Sequence, residues 1–473
     1  MCLIKTLAFL LCGAWFSPAL AATVILENLD GPNEGFNDNS PPIANQPNNP
    51  GTTLGEQRLA VIQAAADFWG ARLESDVIIR ISINMDPLFC SAFSASLGQA
   101  GAVTNFANFP NAPRPDTFYP VALANSLAGQ DLSPSAGSAN NDIQATFNSA
   151  IDNNANCLPS NWWLGIDSPP VIGTISLFDS VQHEIAHGLG FTSLVDSNGA
   201  RMGGIDDAYS IHLYDEETDQ SWSDMTNAER AASMINTGNL VWRGNNATNN
   251  SNHLLPVSRT NGHIRMFAPN PRQAGTSVSH WDTIVSPDET MEPILTINPD
   301  FRATLQLLRD VGWNLITGAM PTGPGQISFV TDSFSAVEGQ GPVSILLSRS
   351  AGSDGAVSVQ LRSQDITAIG GGEDYYTINE RVRWADGETG IRVITTGIVN
   401  DNIEEEPETA EFNLSDPTGG VVINQNTSTL TIRDAADPND PNDPNDPNDP
   451  NDPNAGDILN MIVPVLGAIN RDR

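Results

Sequence analysis

A five-residue pattern in the middle of the chain limits the possible folds more than any other feature. Two histidines four positions apart, His183 and His187, enclose Glu184. In an α-helix, residues four apart lie one turn above each other on one face, so both imidazoles can reach the same metal ion. Apolar residues recur at intervals of four on the opposite face; they are Leu177, Val181, Ile185 and Leu189. We therefore expect an amphipathic helix with one face in a hydrophobic core and the other in a cleft.

The pattern HExxH is typical of zinc peptidases, in which the metal lowers the pKa of a water molecule and the glutamate accepts its proton. A catalytic zinc ion usually has three protein ligands, so a third must come from elsewhere in the chain. In the compact pattern HExxHxxGxxH the third histidine would be at position 193, where this chain has Ser193. The remaining candidates are carboxylates and the downstream histidines, which are His212, His253, His263 and His280.

Three separated motifs, HEIAHGLGF, SHWD and DETMEP, resemble the leishmanolysin-type branch of the metzincin zinc peptidases. In that family the third zinc histidine follows a long insertion, and a Met-turn lies beneath the metal. The resemblance covers roughly residues 55–315 and implies an α+β catalytic domain. The site residues that it implies are His183, His187 and His280 as zinc ligands, Glu184 as the general base, Gly190 as the turn glycine and Met291 as the Met-turn methionine.

We expect this first domain to occupy residues 23–316. Hydrophobic periodicity predicts helices at 54–73 and 301–311 and a strand at 77–85. The segment Asp142–Asn148 suggests an edge strand along which an extended substrate would pair. The long excursion between the second and third histidines is expected to shape the substrate cleft. Thr226 followed by Glu229 predicts a capped helix within it.

The first 22 residues have the pattern of a signal peptide, with an apolar run from Leu7 to Phe16 and small residues before the expected cleavage site. We therefore expect a secreted protein, extracellular or on the cell surface. Only Cys90 and Cys157 remain after cleavage, and in an exported chain they most simply form one disulfide. Two separate buried thiols are the alternative.

The formal charge of −35, from 56 acidic and 21 basic residues, argues against nucleic acid as a partner. A run of about twenty apolar residues is needed to span a bilayer, and the sequence after the leader contains none. The expected partner is a protein or peptide substrate.

The pattern changes from helical to alternating after a Pro- and Gly-rich linker at 317–326. Seven short strands at regular spacing predict an all-β, immunoglobulin-like antiparallel sandwich over 327–436. The phrases FSAVEGQGPVSILLSRS, GGEDYYTI, VNDNIEEEPETAEFNLSDPTGG and STLTIRD resemble a Calx-beta domain. The predicted strands are 327–330, 343–348, 356–362, 381–384, 391–399, 409–414 and 427–432.

The Calx-beta resemblance implies a calcium site built from hard carboxylate oxygens at the strand ends. The residues at the matching positions are Glu338, Asp374, Asp401, Glu405 and Asp434. Asn400 stands where such domains often have another acid, and this departure puts the affinity in doubt. The alternative is a solvated acidic rim without a bound ion.

The chain ends with an Asp-Pro-Asn repeat at 437–454 and a short apolar tail at 455–473. Proline at every third position favours an extended backbone, so the repeat predicts a semi-rigid spacer. The tail is too short to span a membrane. A weak surface attachment, a sorting signal and a docking peptide remain open as its role.

Three functions remain open from the sequence. The preferred one is a secreted zinc metalloendopeptidase. The second is a calcium-dependent surface adhesion or binding protein on a degenerate protease scaffold, and the presence of all ligands and of Glu184 argues against it. The third is a zinc hydrolase that acts on a substrate other than a peptide.

Overall fold

The computed structural model describes residues 21–133, 141–152, 157–166, 170–171, 173–296, 299–316, 323–339, 341–350, 352, 354–384, 390–400 and 405–434. Nearly all of the predicted signal peptide, most of the predicted linker, the repeat spacer and the apolar tail lie outside these ranges. Two separate hydrophobic cores are present, one formed by residues up to 315 and one by residues from 327 onward. The protein is therefore multidomain.

The part of the first domain that the structure describes contains six α-helices and sixteen short strands. The helices are α1 (Leu54–Gly70), α2 (Val121–Ala128), α3 (Leu177–Leu189), α4 (Asn227–Ser233), α5 (Asn245–Asn250) and α6 (Arg302–Val311). The strands are β1 (Val24–Asn28), β2 (Ile79–Asp86), β3 (Cys90–Ser91), β4 (Ser94–Ala95), β5 (Gly98–Ala102), β6 (Asn105–Phe106), β7 (Thr117–Pro120), β8 (Ile143–Asn148), β9 (Asn161–Trp163), β10 (Thr174–Ser176), β11 (Asp206–Asp207), β12 (Leu213–Asp215), β13 (Gln220–Ser221), β14 (Leu240–Trp242), β15 (Arg259–Thr260) and β16 (His263–Arg265).

The main sheet of this domain has the strand order β1-β2-β8-β5. The first three strands are parallel, and α1 connects β1 to β2, because parallel neighbours need a crossover. β5 runs antiparallel to β8 and pairs Gly98 with Phe147. The predicted edge position of Asp142–Asn148 is therefore wrong: β8 lies inside the sheet, where its mostly buried side chains belong, and β5 forms the edge.

The predicted helices are present, with differences at their ends. α1 ends at Gly70, whereas the predicted helix extended to Leu73, because residues 71–73 turn and Leu73 pairs with Leu315. The indole of Trp69 donates to the carbonyl of Gln182 at 3.0 Å and ties α1 to α3. At the other end of the domain, the indole of Trp313 donates to the carbonyl of Leu189 at 2.8 Å. These contacts tie the middle and the C-terminal end of α3 to neighbouring parts of the core.

The excursion after α3 forms its own small sheet, with the order β13-β12-β14-β16-β15. The predicted capping box at the start of α4 is present, with Thr226 and Glu229 each accepting a backbone hydrogen bond of the other. The two ends of the excursion meet where the backbone N–H of Ser193 donates to Ser279 Oγ at 3.2 Å. Through this contact the residue directly before His280 lies next to the segment that follows α3.

A disulfide joins Cys90 to Cys157, as predicted. It links the hairpin formed by β3 and β4 to the segment that precedes β9 and α3. Across the described residues, no helix is both long and apolar enough to cross a membrane.

The second domain is a β-sandwich of two sheets, with the strand orders β22-β19-β17-β24 and β18-β25-β23-β20-β21. Its nine described strands are β17 (Gln326–Phe329), β18 (Ser333–Val337), β19 (Val343–Ser350), β20 (Val357–Asp365), β21 (Asn379–Trp384), β22 (Gly390–Thr396), β23 (Glu408–Thr418), β24 (Val422–Ile423) and β25 (Thr427–Arg433). The prediction of seven strands missed β18, which pairs in parallel with β25, and β24, which is too short for an alternating pattern. Across the described residues of both domains, more residues lie in strands than in α-helices.

Candidate metal centres

Helix α3 places the first two histidines. The hydroxyl of Ser176 accepts the N–H of Asp179 and caps the helix. The apolar stripe opposite the histidines is buried, with all four side chains at most 2% exposed. Gly190 ends the helix with φ +124°, a conformation that L side chains rarely adopt. The turn brings the carbonyl of Phe191 back onto His187, where it accepts from Nδ1 at 2.8 Å.

His280 comes back to this helix across the closed excursion. The ligand atoms of His183, His187 and His280 all lie within 4.8 Å of one another. The Nε2 atoms of His183 and His280 are 3.0 Å apart. For comparison, two zinc–nitrogen bonds of about 2.0–2.1 Å at a tetrahedral angle place their nitrogens about 3.3 Å apart. The spacing therefore fits one shared ion.

Backbone carbonyls fix the protonation of the three rings. Nδ1 of His183 contacts the carbonyl of Thr290 at 2.6 Å, and Nδ1 of His280 contacts that of Thr276 at 2.8 Å. A carbonyl can only accept, so Nδ1 carries the proton and each neutral ring keeps a lone pair on Nε2. Burial lowers the pKa of His183 to about 3 and that of His187 to about 4, and it also lowers the pKa of His280. Three lone pairs thus face one another, an arrangement that a cation would relieve.

The side chain of Glu184 lies between its own helix, α3, and the edge strand β5 of the main sheet. Its side chain is 8% exposed, and burial raises its pKa to about 8, although a hydrogen bond from the backbone N–H of Ala100 acts in the opposite direction. A Cβ atom on Gly98 would lie 2.8 Å from Cγ of Glu184, so only glycine allows β5 to approach this closely. The carboxylate therefore sits between the histidines and the backbone of β5.

The predicted Met-turn lies directly beside the first histidine. Met291 is fully buried, and its carbonyl accepts the N–H of Trp281 at 2.8 Å. The preceding residue, Thr290, supplies the carbonyl that fixes His183. The turn is thus connected by backbone contacts to two of the three histidine-bearing segments.

A buried hydrogen-bond network supports the Met-turn from behind. Glu289 accepts from His253 Nε2 at 3.0 Å and from the backbone N–H of Ala303 at 2.9 Å. It also accepts from the backbone and hydroxyl of Thr304. His253 and Glu289 are 6% and 2% exposed, so bulk solvent does not reach the pair. The pair therefore joins the Met-turn to the start of α6.

We expect replacement of His253 by alanine to lower the free energy of unfolding of the first domain by about 1–3 kcal/mol, because Glu289 would lose a buried donor. Urea unfolding of the whole chain measures this. The matched control is His263→Ala, since His263 is only partly buried and has a weak contact of 3.4 Å with Thr248. Equal losses in the two variants would contradict the importance of the buried pair.

The other candidate histidines do not reach the three-histidine centre. His212 Nε2 contacts the carbonyl of Asp310 at 3.0 Å, while His253 and His263 make the contacts described above. Of the downstream histidines, only His280 joins His183 and His187.

A second cluster of possible ligands lies in the sandwich domain. The carboxylates of Glu338, Glu405 and Asp434 lie within 4.8 Å of one another, and so do those of Asp374, Glu405 and Glu408. Burial and the neighbouring carboxylates, Asp374 foremost, raise the pKa of Glu408 to about 7. This repulsion would be relieved by a proton or by a divalent cation.

Four of the five predicted calcium residues belong to this cluster, whereas Asp401 lies outside the described residues. Glu408 was missed, although it belongs to the acidic run that begins before β23. The backbone carbonyls that contact the Nδ1 atoms of the histidines were also missed, because every residue has a carbonyl and the sequence does not show which one lies near a histidine.

Comparison with known proteins identifies the second domain. The Calx-beta domain family matches residues 321–436. The apo-form Calx CBD1 domain matches at 21% identity over 24% of this chain and 97% of that chain, with a TM-score of 0.23. The CBD12 structure from CALX1.2 matches at 22% identity over 23% of this chain and 44% of that chain, with a TM-score of 0.22. The Calx CBD2 domain matches at 15% identity over 25% of this chain and 91% of that chain, with a TM-score of 0.23.

The chain thus spans less than half of the CBD12 structure that it matches. No curated protein matches the chain. The predicted Calx-beta sandwich is confirmed, and its family match begins at residue 321, slightly before the predicted start. The leishmanolysin-type resemblance of the first domain stays a prediction.

Proposed function

We propose that the chain is an exported zinc-dependent endopeptidase whose catalytic domain is an α+β, metzincin-like unit at residues 23–316. The observation that carries the proposal is that the ligand atoms of His183, His187 and His280 lie within 4.8 Å of one another and share a cavity with the buried carboxylate of Glu184. His183, His187 and His280 would hold the ion. When bound, zinc supplies Lewis acidity, which polarises a carbonyl and lowers the pKa of a water molecule.

Glu184 serves as the general base in this proposal. Burial raises its pKa above that of an exposed glutamate, so the ionised carboxylate is the stronger base, and a cation held by the neighbouring histidines would favour the ionised form. The N–H of Ala100 donates to the carboxylate, and Glu184 lines the same cavity as the three histidines. The same group would return the proton to the leaving amine.

The edge strand β5 offers a binding site for an extended peptide. In the described sheet one side of β5 pairs with β8, and the other is the sheet edge. An extended peptide can add through backbone hydrogen bonds to the part of this edge that is left open by Ala100, whose N–H donates to Glu184. Glu184 lies against the first residue of this strand, so a peptide bound there would pass the proposed base.

The test combines metal analysis with cleavage of an unstructured protein. We expect purified protein to hold one zinc ion per chain and to cleave casein in a reaction that a chelator stops and added zinc restores. A metal-free protein would overturn the proposal. A zinc-loaded protein that cleaves no peptide but hydrolyses another bond would favour the third function, a hydrolase with a different substrate.

We further propose that the sandwich domain binds calcium through Glu338, Asp374, Glu405, Glu408 and Asp434. The Calx-beta family match and the crowding of these carboxylates support this. One of the similar solved structures is the calcium binding domain CBD12 of CALX1.1. Such binding would serve attachment to a surface or stabilisation of the domain.

Calcium at about 100 times its dissociation constant is expected to stabilise the sandwich domain by about 2.7 kcal/mol, because the ion binds only the folded cluster. Thermal unfolding with and without calcium measures the effect. Asp434→Asn should abolish most of the shift, whereas Asp416→Asn should retain it, since Asp416 is an exposed acid outside the cluster. An identical shift in both variants would place the binding elsewhere.

A further inference from the structure

Two phenylalanines on the hairpin beside the edge strand are strongly exposed. Phe89 is 65% and Phe93 is 94% exposed. We call residues 89–95 the Phe hairpin; it contains β3, β4 and the tight turn between them. Single exposed side chains of this size are common on protein surfaces. Two on one short hairpin form an exposed apolar surface, which is typical of a binding site.

The Phe hairpin is held in place at its base. Asn148, which is fully buried, donates to the carbonyl of Phe89 at 3.3 Å and to that of Ser96 at 2.8 Å, and its side-chain oxygen accepts the N–H of Leu88 at 3.0 Å. The disulfide at Cys90 adds a covalent tie to the body of the domain. A projection fixed in this way loses little conformational freedom when it binds.

The Phe hairpin leads directly into the catalytic cleft. Ala95 ends β4, and only two residues separate it from Gly98, where β5 begins against Glu184. Phe89 and Phe93 line the same cavity as Glu184 and the three histidines. An extended chain that adds to β5 and continues past its first residue would therefore meet the hairpin.

We propose that Phe89 and Phe93 form a subsite for an apolar side chain of the peptide substrate, a few residues from the cleaved bond. This inference rests on the proposed peptidase function. A peptide is a better fit than a lipid surface, because the subsite is continuous with the edge strand and a chain of formal charge −35 is repelled by anionic membranes.

The experiment uses the full zinc-loaded protein and pairs of peptides that differ only by leucine or serine, placed in turn at each of the three positions on either side of the cleaved bond. Wild type should prefer leucine at one position. Phe93→Ser, and more so the Phe89→Ser/Phe93→Ser double variant, should lower kcat/KM for the leucine peptide by about tenfold through KM, and much less for the serine peptide.

The melting temperature should not change in either variant, because both rings are exposed. Tyr376→Ser is the matched control: Tyr376 is 60% exposed, lies in the sandwich domain and should not affect the leucine preference. Unchanged leucine preference in the double variant, or an equal loss for both peptides, would overturn the subsite. So would phenylalanine-dependent binding to vesicles of anionic phospholipid without any effect on cleavage. Failure of wild type to cleave any peptide would instead refute the peptidase function itself.

Discussion

Replacement of Glu184 by glutamine is expected to leave zinc bound and to reduce peptide cleavage by about 10²–10⁴-fold, the usual contribution of general acid–base catalysis. The amide keeps the size of the side chain and can still accept the N–H of Ala100, so the cleft should keep its shape. What is lost is the ability to accept a proton. Steady-state kinetics together with zinc analysis of the same sample separates the two effects.

The matched control for this variant is Glu229→Gln, which changes a glutamate of the exposed capping box of α4. It should alter stability by no more than about 1 kcal/mol and should not change turnover. Normal cleavage by the Glu184 variant would show that another group is the base. Loss of zinc from that variant would show that the carboxylate contributes to metal binding.

Replacement of His280 by alanine is expected to lower the affinity for zinc by at least about 100-fold and to abolish cleavage. Even the loss of a residue that only hydrogen-bonds to a metal ligand typically lowers metal affinity or activity by about 10–100-fold. Only the two imidazoles of α3 would remain as ligands, which would leave two positions of a tetrahedral zinc ion to water where a catalytic site leaves one. Zinc competition with a chromophoric chelator measures the affinity without reference to activity.

His263→Ala serves as the control for the metal site, because His263 lies on β16 of the excursion and its ring contacts the hydroxyl of Thr248 at 3.4 Å. It should bind zinc as wild type does. The opposite result, with zinc retained in the His280 variant and lost in the His263 variant, would refute the proposed ligand set. His187→Ala should resemble His280→Ala and lose both metal and turnover.

Local patterns made the main elements predictable. The stripe on α3 and the capping box on α4 concern residues within a few positions of one another, and the structure contains both. The alternation in the second domain predicted most of its strands for the same reason. Motif identity also selected His280 among four downstream histidines.

Features that depend on distant contacts were not predictable. The place of Asp142–Asn148 inside the sheet depends on Gly98–Ala102, a glycine-rich segment without strand character in its sequence. The Nδ1 contacts of the histidines depend on carbonyls of residues such as Thr290, whose side chain has no part in them. The His253–Glu289 pair was equally invisible, because 36 positions separate its members.

The contact between Ser193 and Ser279 closes the excursion just before His280. The position of this third histidine therefore does not depend on how long the excursion is. Residue 193 is where a compact pattern would carry that histidine itself, and the excursion leaves and returns at this point, 86 positions later in sequence. A much shorter connection could deliver the same ring to the same place. Residues between these two serines can therefore be inserted or deleted, which changes the wall of the cleft, while the arrangement of the three histidines stays the same.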